Sequence, residues 1–404
     1  MRFLFTSSPL LGHLQPLLPL ARAARDAGHD VVIATGPDLA GWVERHGFQA
    51  WSVGPSMTEI REAMARRPRP GGETDEQVLA ANVLGLFARP SAIRAVELMA
   101  RTLDAGVDVV VSEPYELGGG YVRASTGLRA VHGLGADVEN FADLAAFAHA
   151  EMARLVGGAD LTAQYLATPY LDPFPLSLQP RERPWARVFP IRPETPLGAA
   201  PAVPVPEFAE LPYRRSVYLT LGTVFNAREA FAAPLAALAD LPVNVLLTTG
   251  GGVDPSALGE VPGNVRAAGF VPQGLILPRV SAVVCHGGAG TVLGALAHGV
   301  PLVCLPMGAD QPGNAAAVAA GGAGLQLTPE QADAASIRSA VERVLSEDRF
   351  RRAAGRLRDE IADLPTPDEV IASVVDRAAV QPTGSRGFRE LMVGGSTGRV
   401  FAAR

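Results

Sequence analysis

Short apolar runs typical of buried strands alternate with stretches of helical periodicity along most of this 404-residue chain. Residues 2–6 (RFLFT) are followed by Leu and Ala at helical spacing over 14–27, and HDVVIATG then supplies the next strand after Gly28. A strand, a helix and a second strand in this order form a βαβ unit, which requires a parallel sheet. Further strand-like runs at 107–112 and 128–133 continue the alternation. The pattern predicts an α/β protein with doubly wound parallel sheets.

A proline-rich segment divides the chain near its middle. Prolines at positions 190, 193, 196, 201, 204, 206 and 212 leave little room for regular structure. Strand-like runs resume after it, at 216–223, 244–251, 264–270, 281–288 and 301–308. We therefore predict an N-terminal domain over 1–195, a linker over 196–215 and a second doubly wound domain over 216–365. The segment 381–404 is rich in Gly, Ser and Arg, and we expect it to be poorly ordered.

The composition excludes several functional classes. The 35 basic and 41 acidic residues give a net charge of −6, which disfavours nucleic acid or an anionic membrane as the main partner. The sequence has no lysine, so a Schiff-base lysine, a pyridoxal-phosphate lysine and a Walker P-loop are excluded. Cys285 and Cys304 form neither a disulfide scaffold nor a zinc motif. No apolar run reaches the roughly 18 residues of a membrane span. We expect a cytoplasmic protein that acts on small molecules.

A glycine cluster, Cys-His-Gly-Gly-Ala-Gly-Thr at 285–291, follows a strand and opens a helix. Successive N–H groups at a helix N-terminus form a site for a phosphate or diphosphate. Two other interpretations stay open here: a tight turn that simply needs glycine, and a dinucleotide site with Asp310 about 20 residues further on. The third glycine stands at 294, one position too late for the dinucleotide motif, which weakens the nicotinamide interpretation.

Asp310 and Gln311 follow a later strand and offer a carboxylate beside an amide. This pair suits adjacent sugar hydroxyls, because the carboxylate accepts hydrogen bonds and the amide both donates and accepts them. Asp-Gln before a proline is also an ordinary helix start, which is the alternative.

In the first half, Gly12 and His13 lie in the loop predicted after the first strand, and Glu113 follows the strand at 107–112. Both loops would emerge at the carboxyl edge of the sheet, where open α/β domains bind ligands. A histidine oriented by a carboxylate can serve as the general base for a hydroxyl nucleophile. Taken alone, a loop histidine is also common as a cap or a surface residue.

The chain contains no Asp-x-Asp, no His-Glu-x-x-His and no Cys/His cluster. We therefore predict no metal site, and no cofactor beyond a co-substrate. The charge of a bound diphosphate would be balanced by helix N–H groups, hydroxyls and imidazole or guanidinium groups.

Two segments of the first half, 57–90 and 141–180, fit the βαβ pattern poorly and look like irregular insertions. Insertions on a parallel-sheet domain commonly line a ligand cleft. Phe141 and Phe147 of the second segment are our candidates for acceptor contacts. Ordinary surface helices and loops are the alternative interpretation of both segments.

Five motifs occur in the order, and roughly at the spacing, of the GT-B fold nucleotide-sugar glycosyltransferases of family 1. They are GHLQP at 12–16, LTLGTVFN at 219–226, GFVPQGLILP at 269–278, CHGGAGT at 285–291 and PMGADQPGNA at 306–315. Within that family the chain most resembles the bacterial, actinomycete-type enzymes that attach sugars to natural products. The resemblance covers about residues 1–380.

The resemblance implies two Rossmann-like domains facing across a cleft, with the acceptor bound by the N-terminal domain and the donor by the C-terminal one. A last helix, 366–380, would pack back on the N-terminal domain. The resemblance also implies metal-independent inversion at the anomeric carbon by direct displacement. His13 would deprotonate the acceptor hydroxyl, and Glu113 stands where the family has an acidic partner, often aspartate.

The donor contacts implied by the resemblance are spread over four loops. They are Gly222 and Thr223 at the β-phosphate, Val271, Pro272 and Gln273 at the nucleobase, His286, Gly288, Gly290 and Thr291 at the diphosphate, and Asp310 and Gln311 at the sugar. The implied substrates are a dTDP- or UDP-linked sugar, expected to be a deoxysugar, and a mostly apolar aglycone; we also consider a homodimer. The alternative functions are a non-catalytic activator protein and a nucleotide-sugar epimerase on the same fold.

Overall fold

In a computed structural model the chain forms two parallel sheets, each covered by helices. The structure describes residues 1–67, 72–122, 127–136, 141–180, 183–194, 211–223, 227–250 and 253–380. The predicted linker lies mostly outside the described residues, and the predicted tail, 381–404, lies wholly outside them.

The first sheet has seven strands and the second has six, all parallel to their neighbours. The strands of the first sheet are β1 (Arg2–Thr6), β2 (Asp30–Thr35), β3 (Gln49–Ser52), β4 (Val109–Ser112), β5 (Leu128–His132), β6 (Tyr170–Asp172) and β7 (Val188–Pro190). Those of the second are β8 (Ser216–Thr220), β9 (Asn244–Thr248), β10 (Val265–Ala268), β11 (Ala282–Cys285), β12 (Leu302–Cys304) and β13 (Gly324–Gln326). The first sheet has the order β3-β2-β1-β4-β5-β6-β7 and the second the order β10-β9-β8-β11-β12-β13. Each order reverses once, between β1 and β4 and between β8 and β11, as in doubly wound folds.

Fifteen α-helices lie in the described part of the chain. The first eight are α1 (Leu11–Leu14), α2 (Leu18–Asp26), α3 (Pro37–Arg45), α4 (Met57–Ala65), α5 (Asp75–Val83), α6 (Arg89–Thr102), α7 (Phe141–Val156) and α8 (Thr162–Leu166). The others are α9 (Ala232–Ala239), α10 (Gln273–Ile276), α11 (Ala289–Ala297), α12 (Gln311–Ala320), α13 (Ala334–Ser346), α14 (Asp348–Ala362) and α15 (Pro367–Val380). A π-helical turn, Leu84–Ala88, joins α5 to α6.

The α/β prediction is confirmed, and each predicted apolar run contains a strand. The observed strands are shorter than the runs: β8 ends at Thr220 and β12 at Cys304, because the following residues turn into the loops at the sheet edge. The strands β3, β6, β7 and β13 were missed. Each has only three or four residues, too few to stand out as a strand in the sequence, so pairing with a neighbouring strand decides their conformation.

The interpretation of 57–90 as an irregular insertion is wrong, since the segment contains α4, α5 and the π-helical turn. The first two of these helices begin with capping boxes. The Ser56 hydroxyl accepts from the Glu59 N–H and the Glu59 carboxylate from the Ser56 N–H, and Thr74 and Gln77 do the same. Such a box satisfies two N–H groups that a helix start leaves unpaired. This helical signal was present in the sequence.

The segment 141–180 is not irregular either, because it holds the 16-residue helix α7 together with α8 and β6. Beyond β6 the chain reaches the second half of the molecule. Phe174 is fully buried in the apolar cluster of the second sheet, with Tyr218 and Val271 among its members. The Ser177 hydroxyl donates to the Glu360 carboxylate of α14 at 2.5 Å. The two halves therefore share a packed surface.

The last helix connects the two halves a second time. Although α15 follows the second sheet in the sequence, Val370 and Ile371 are buried in the apolar cluster that contains Phe3 and Leu20 of the first half. The guanidinium of Arg192 donates to the Leu364 carbonyl just before this helix. These contacts hold α15 against α2.

Candidate active site

Two loops meet where the strand order of the first sheet reverses. β1 and β4 are neighbours, and their carboxyl ends lead to His13 and Glu113 respectively. Open α/β sheets bind ligands at such a reversal, because the two connections leave on opposite faces and open a crevice. One prediction needs correction: His13 lies within the helical turn α1 rather than in a loop, since its N–H already bonds to the Leu10 carbonyl.

The imidazole and the carboxylate are in direct contact. Nδ1 of His13 lies 3.1 Å from Oε2 of Glu113; the His13 side chain keeps 18% exposure, and the Glu113 side chain has none. Two hydrogen bonds hold Glu113 in place, from the Ser8 N–H at 3.1 Å and from the Tyr115 N–H at 2.7 Å. A carboxylate held in this way determines which nitrogen of the ring carries the proton and where the ring points.

The charges of this pair support each other. Burial on its own would lower the pKa of His13, but the Glu113 carboxylate and, to a smaller extent, Asp310 raise it above its ordinary value. Burial would likewise raise the pKa of Glu113, but the imidazole and the hydrogen bonds from Ser8 and Tyr115 lower it. Glu113 is therefore ionised at neutral pH, and His13 is more basic than a free histidine.

Two aromatic rings that the sequence analysis missed flank the imidazole. The Phe87 ring stacks on His13 at a centroid distance of 5.9 Å, and the Tyr115 ring is tilted against it at 5.5 Å. Phe87 belongs to the π-helical turn, a feature often found at functional sites. The rings of Phe87 and Tyr115 also contact each other at 4.8 Å. Together they form an aromatic wall beside the exposed part of His13.

The predicted acceptor residues lie behind this wall. Phe141 meets Tyr115 edge to face at 5.9 Å and is 7% exposed. Phe147 is half-buried against the same apolar cluster, which also contains Trp185. Phe141 supports the wall from behind, whereas Phe87 and Tyr115 are the rings next to His13.

The reversal point of the second sheet brings the predicted phosphate loops together. Gly222 and Thr223 follow β8, and His286 and Gly288 follow its neighbour β11. The imidazole of His286 lies between the two glycines: a Cβ on Gly222 would stand 2.5 Å from Nε2, and one on Gly288 would also overlap that atom. Both glycines are required because the ring approaches their backbone closely.

A helix N-terminus lies beside this imidazole. Gly288 is the N-cap of α11, and Gly290 is exposed with no atom within 4 Å of a Cβ placed on it. Burial lowers the pKa of His286 to about 4, although Asp310 and a backbone hydrogen bond to Thr220 act in the opposite direction. His286 is therefore neutral at pH 7 and can donate a hydrogen bond without carrying a charge.

The predicted nucleobase segment starts α10. Val271 and Pro272 are buried, and the Gln273 amide donates to the Thr291 hydroxyl at 2.8 Å, which connects this segment to α11. Phe270, just before it, is 45% exposed. Phe270 lies within the GFVPQGLILP motif but was not among the predicted site residues, and its accessible ring is suited to stacking.

The loop before α12 has an unusual backbone. Ala309 has a φ of +56°, the only left-handed non-glycine residue in the described part of the chain. Oε1 of Gln311 accepts from the N–H groups of Met307 at 2.8 Å and Gly308 at 3.3 Å, which holds this turn. The amide oxygen that we expected to contact a sugar is thus used within the loop. The left-handed backbone at Ala309 is strained, and strain of this kind is typical of functional sites.

Asp310 is the N-cap residue of α12, but its side chain makes no capping hydrogen bond. One carboxylate oxygen, Oδ2, accepts from the Asn314 amide at 2.8 Å. Asp310 is close enough to His13 for its charge to raise the pKa of the imidazole. The predicted sugar ligand and the predicted base are therefore within electrostatic range of each other, although they follow strands of different sheets.

No group of three or more His, Cys, Asp or Glu side chains could together hold a metal ion in the part of the chain that the structure describes. No helix in the same part has both the length and the apolar character needed to cross a bilayer.

This chain is similar in sequence and in fold to known glycosyltransferases. Residues 232–376 match the family described as erythromycin biosynthesis protein CIII-like, C-terminal domain. L-demethylnoviosyl transferase of Streptomyces niveus is 32% identical over 376 residues, which cover 91% of this chain and 96% of that protein. The crystal structure of the glycosyltransferase SnogD from Streptomyces nogalater superposes with a TM-score of 0.72 at 29% identity, over 94% of this chain and 99% of the other. That of the glycosyltransferase VinC in complex with dTDP has a TM-score of 0.72 at 27% identity, over 94% and 100%.

Proposed function

Because this chain belongs to the GT-B glycosyltransferases that decorate actinomycete natural products, we propose that it transfers a sugar from a dTDP- or UDP-sugar to a hydroxyl of a mostly apolar aglycone, with inversion and without a metal ion. The chain is a glycosyltransferase; the activator and epimerase alternatives have no support among these relatives. The contact between His13 and Glu113, opposite Asp310, is the observation that carries the proposal.

The reaction needs a base at the acceptor oxygen. Since Nδ1 of His13 faces Glu113, Nε2 is the nitrogen that would take the proton from the acceptor hydroxyl. The oxygen then attacks the anomeric carbon and forms the new glycosidic bond. The bond from that carbon to the β-phosphate oxygen breaks at the same time, and its electron pair leaves with the nucleoside diphosphate. Glu113 stabilises the imidazolium that results. One displacement inverts the anomeric centre.

The leaving diphosphate would be bound by uncharged donors. The N-terminal end of α11, from Gly288 to Thr291, presents backbone N–H groups and the positive end of the helix dipole. The neutral imidazole of His286 and the exposed hydroxyl of Thr223 lie at the same sheet edge. These groups would stabilise the charge that develops on the leaving group.

The nucleotide and the sugar would occupy adjacent loops. The backbone of Val271 and Pro272, with the exposed ring of Phe270, supports binding of a nucleobase. The carboxylate of Asp310 supports binding of sugar hydroxyls, while Gln311 retains only its NH₂ group for this purpose, because its oxygen is used within the loop. VinC was crystallised with dTDP, which favours a thymidine nucleotide.

The aromatic wall indicates the nature of the acceptor. Phe87 and Tyr115 offer flat apolar area next to His13, and the surrounding cluster is apolar. An aglycone with a large hydrophobic surface and one reactive hydroxyl fits such a wall. The relatives include tylactone mycaminosyltransferase of Streptomyces fradiae, whose name gives a lactone as the acceptor, which favours an apolar aglycone here as well.

The experiment that tests the proposal is product formation. The purified chain would be incubated with a panel of dTDP- and UDP-sugars and a mixed library of polyketide and aromatic aglycones, and products would be identified by mass spectrometry and by the anomeric coupling constant in NMR. An inverted glycoside from a nucleotide sugar is the expected product. A retained anomeric configuration, or free epimerised donor without any glycoside, would overturn the proposal.

A further inference from the structure

Asn314 joins three segments of the chain at the edge of the cleft. Its side chain is fully buried. Oδ1 accepts from the Ala136 N–H at 2.9 Å, and Nδ2 donates to the Gly287 carbonyl at 3.0 Å and to Oδ2 of Asp310 at 2.8 Å. One amide thus connects the loop after β5 in the first half with the phosphate loop and the proposed sugar ligand in the second.

The orientation of this amide is determined by its partners. Ala136 presents a donor and therefore requires the oxygen, whereas the Gly287 carbonyl and the Asp310 carboxylate require the two hydrogens of the NH₂ group. No other side chain of this size supplies one acceptor and two donors. An aspartate at 314 would keep the bond from Ala136 but would place an oxygen against two other oxygens.

The loop after β5, residues 133–136, packs closely against the second half. A Cβ on Gly135 would stand 2.7 Å from the Ala289 Cβ and 2.7 Å from Oδ1 of Asn314. Gly135 does not have a positive φ, so the requirement for glycine is steric rather than conformational. An alanine at 135 would therefore push the loop away from Asn314 without straining its own backbone.

We propose that Asn314 is a positioning residue that makes the orientation of the Asp310 carboxylate depend on the docking of residues 133–136 against the donor half. The sugar is held in its reactive position only when the two halves are docked, so cleft closure and sugar positioning occur together. The inference rests on the proposed function, because it takes Asp310 as the group that binds the sugar.

Two variants test the two contacts of Asn314 separately, the one with Ala136 and the one with Asp310. Gly135→Ala disrupts the Ala136 contact and keeps both chemical groups that form the bond between Asn314 and Asp310. Asn314→Asp keeps the Ala136 contact and removes the bond to Asp310; Asn314→Ala removes both without adding a charge. The matched control is Gly313→Ala on the exposed side of the same helix, where a Cβ would meet no atom within 4 Å.

The readouts are calorimetric affinities for dTDP and for dTDP-glucose, together with kcat and the melting temperature. Asn314→Asp loses the hydrogen bond to the Asp310 carboxylate, and Gly135→Ala loses the contact that fixes the amide, so each should weaken dTDP-glucose binding about tenfold, with dTDP binding changed by less than about twofold. The double variant, Gly135→Ala with Asn314→Asp, should bind dTDP-glucose about as tightly as the more impaired single variant, because both substitutions break the same connection. Independent effects on the affinity would instead multiply. Gly313→Ala should resemble the wild type.

Several results would overturn the inference. The first two are multiplicative effects on affinity in the double variant and an unchanged dTDP-glucose affinity in either single variant. The third is a loss of dTDP affinity as large as the loss of dTDP-glucose affinity, together with a lowered melting temperature. The fourth is a wild type that binds dTDP-glucose no more tightly than dTDP. Failure of the proposed function would look different: the wild type would bind dTDP-glucose more tightly than dTDP and transfer sugar to no acceptor. The affinities of the variants would then still decide whether Asn314 connects residues 133–136 to Asp310.

Discussion

Nδ1 of His13 lies 3.1 Å from Oε2 of Glu113, although 100 positions separate the two residues in the sequence and neither belongs to a motif that contains the other. The contact exists because β1 and β4 are adjacent parallel strands and both residues follow a carboxyl end. It leaves Nε2 of the imidazole free to accept a proton. The first two predictions test the consequences of this pairing.

His13→Ala should lower kcat by about 10² to 10⁴ with an alcohol acceptor, because the attacking hydroxyl loses its proton acceptor. The dTDP affinity should not change, since the nucleotide loops belong to the other sheet. Steady-state kinetics and calorimetry on the same preparation check both parts. Turnover close to that of the wild type would disprove the assignment of His13, and a phenolic acceptor should show a smaller loss because it ionises more readily.

The pH dependence should report the charges around His13. The base works in its neutral form, so kcat/KM should fall as the pH drops through the pKa of His13, which lies above its ordinary value. Glu113→Gln removes the main group that raises this pKa, so the acidic limb should move to lower pH. Asp310→Asn should move it in the same direction by less, as the weaker influence. A limb that stays in place in Glu113→Gln would contradict this account.

Activity should persist in excess EDTA. If backbone N–H groups at the start of α11, together with Thr223 and neutral His286, stabilise the leaving diphosphate, then no divalent cation takes part. The measurement is the initial rate with and without chelator, after dialysis. Abolition of the activity by EDTA and its recovery with Mg²⁺ or Mn²⁺ would refute the metal-free mechanism.

Phe87 and Phe141 should differ in their effects, because one faces His13 and the other supports the wall. Phe87→Leu should raise the acceptor KM by about 2- to 10-fold through the loss of aromatic contact, with little change in melting temperature. Phe141→Ala should cost about 3 to 5 kcal/mol of unfolding free energy, as expected for a buried phenylalanine. If the acceptor KM responds to Phe141→Ala in a folded protein and not to Phe87→Leu, the positions of the two residues relative to the acceptor are reversed.

Stability should decline in mild acid. Burial lowers the pKa of His132 and of His149 to about 4, and neither ring nitrogen of His149 has a hydrogen-bond partner among the described residues. The unfolded chain binds protons at these sites from about pH 6.5, so unfolding becomes easier as the pH falls towards 4, by up to about 3 kcal/mol per site. Chemical denaturation of the wild type and of His149→Leu at pH 7 and pH 5 tests this. The variant should lose less stability on acidification, and an equal loss would count against the role of His149.

The sequence by itself determined the class of fold and the sheet edges at which the candidate site residues stand. Apolar runs alternating with helical periodicity require parallel sheets, because a strand buried on both faces needs helices to cover it. Residues that follow neighbouring strands then meet at one edge, which is why His13 and Glu113 could be paired before any coordinates were known. Gly288 and Gly290 marked the helix N-terminus in the same way, since only glycine permits a ligand or a ring to approach the backbone there.

Tertiary structure alone decided the contacts between parts that are distant in the sequence. Asn314 bonds to Ala136 across 178 positions, and Phe87, in a π-helical turn, stacks on His13. No local pattern encodes these two contacts, because the first depends on how the two halves pack against each other and the second on how the π-helical turn packs within the first half. The sequence specifies which chemical groups stand at the ends of the strands, and packing specifies which of them touch.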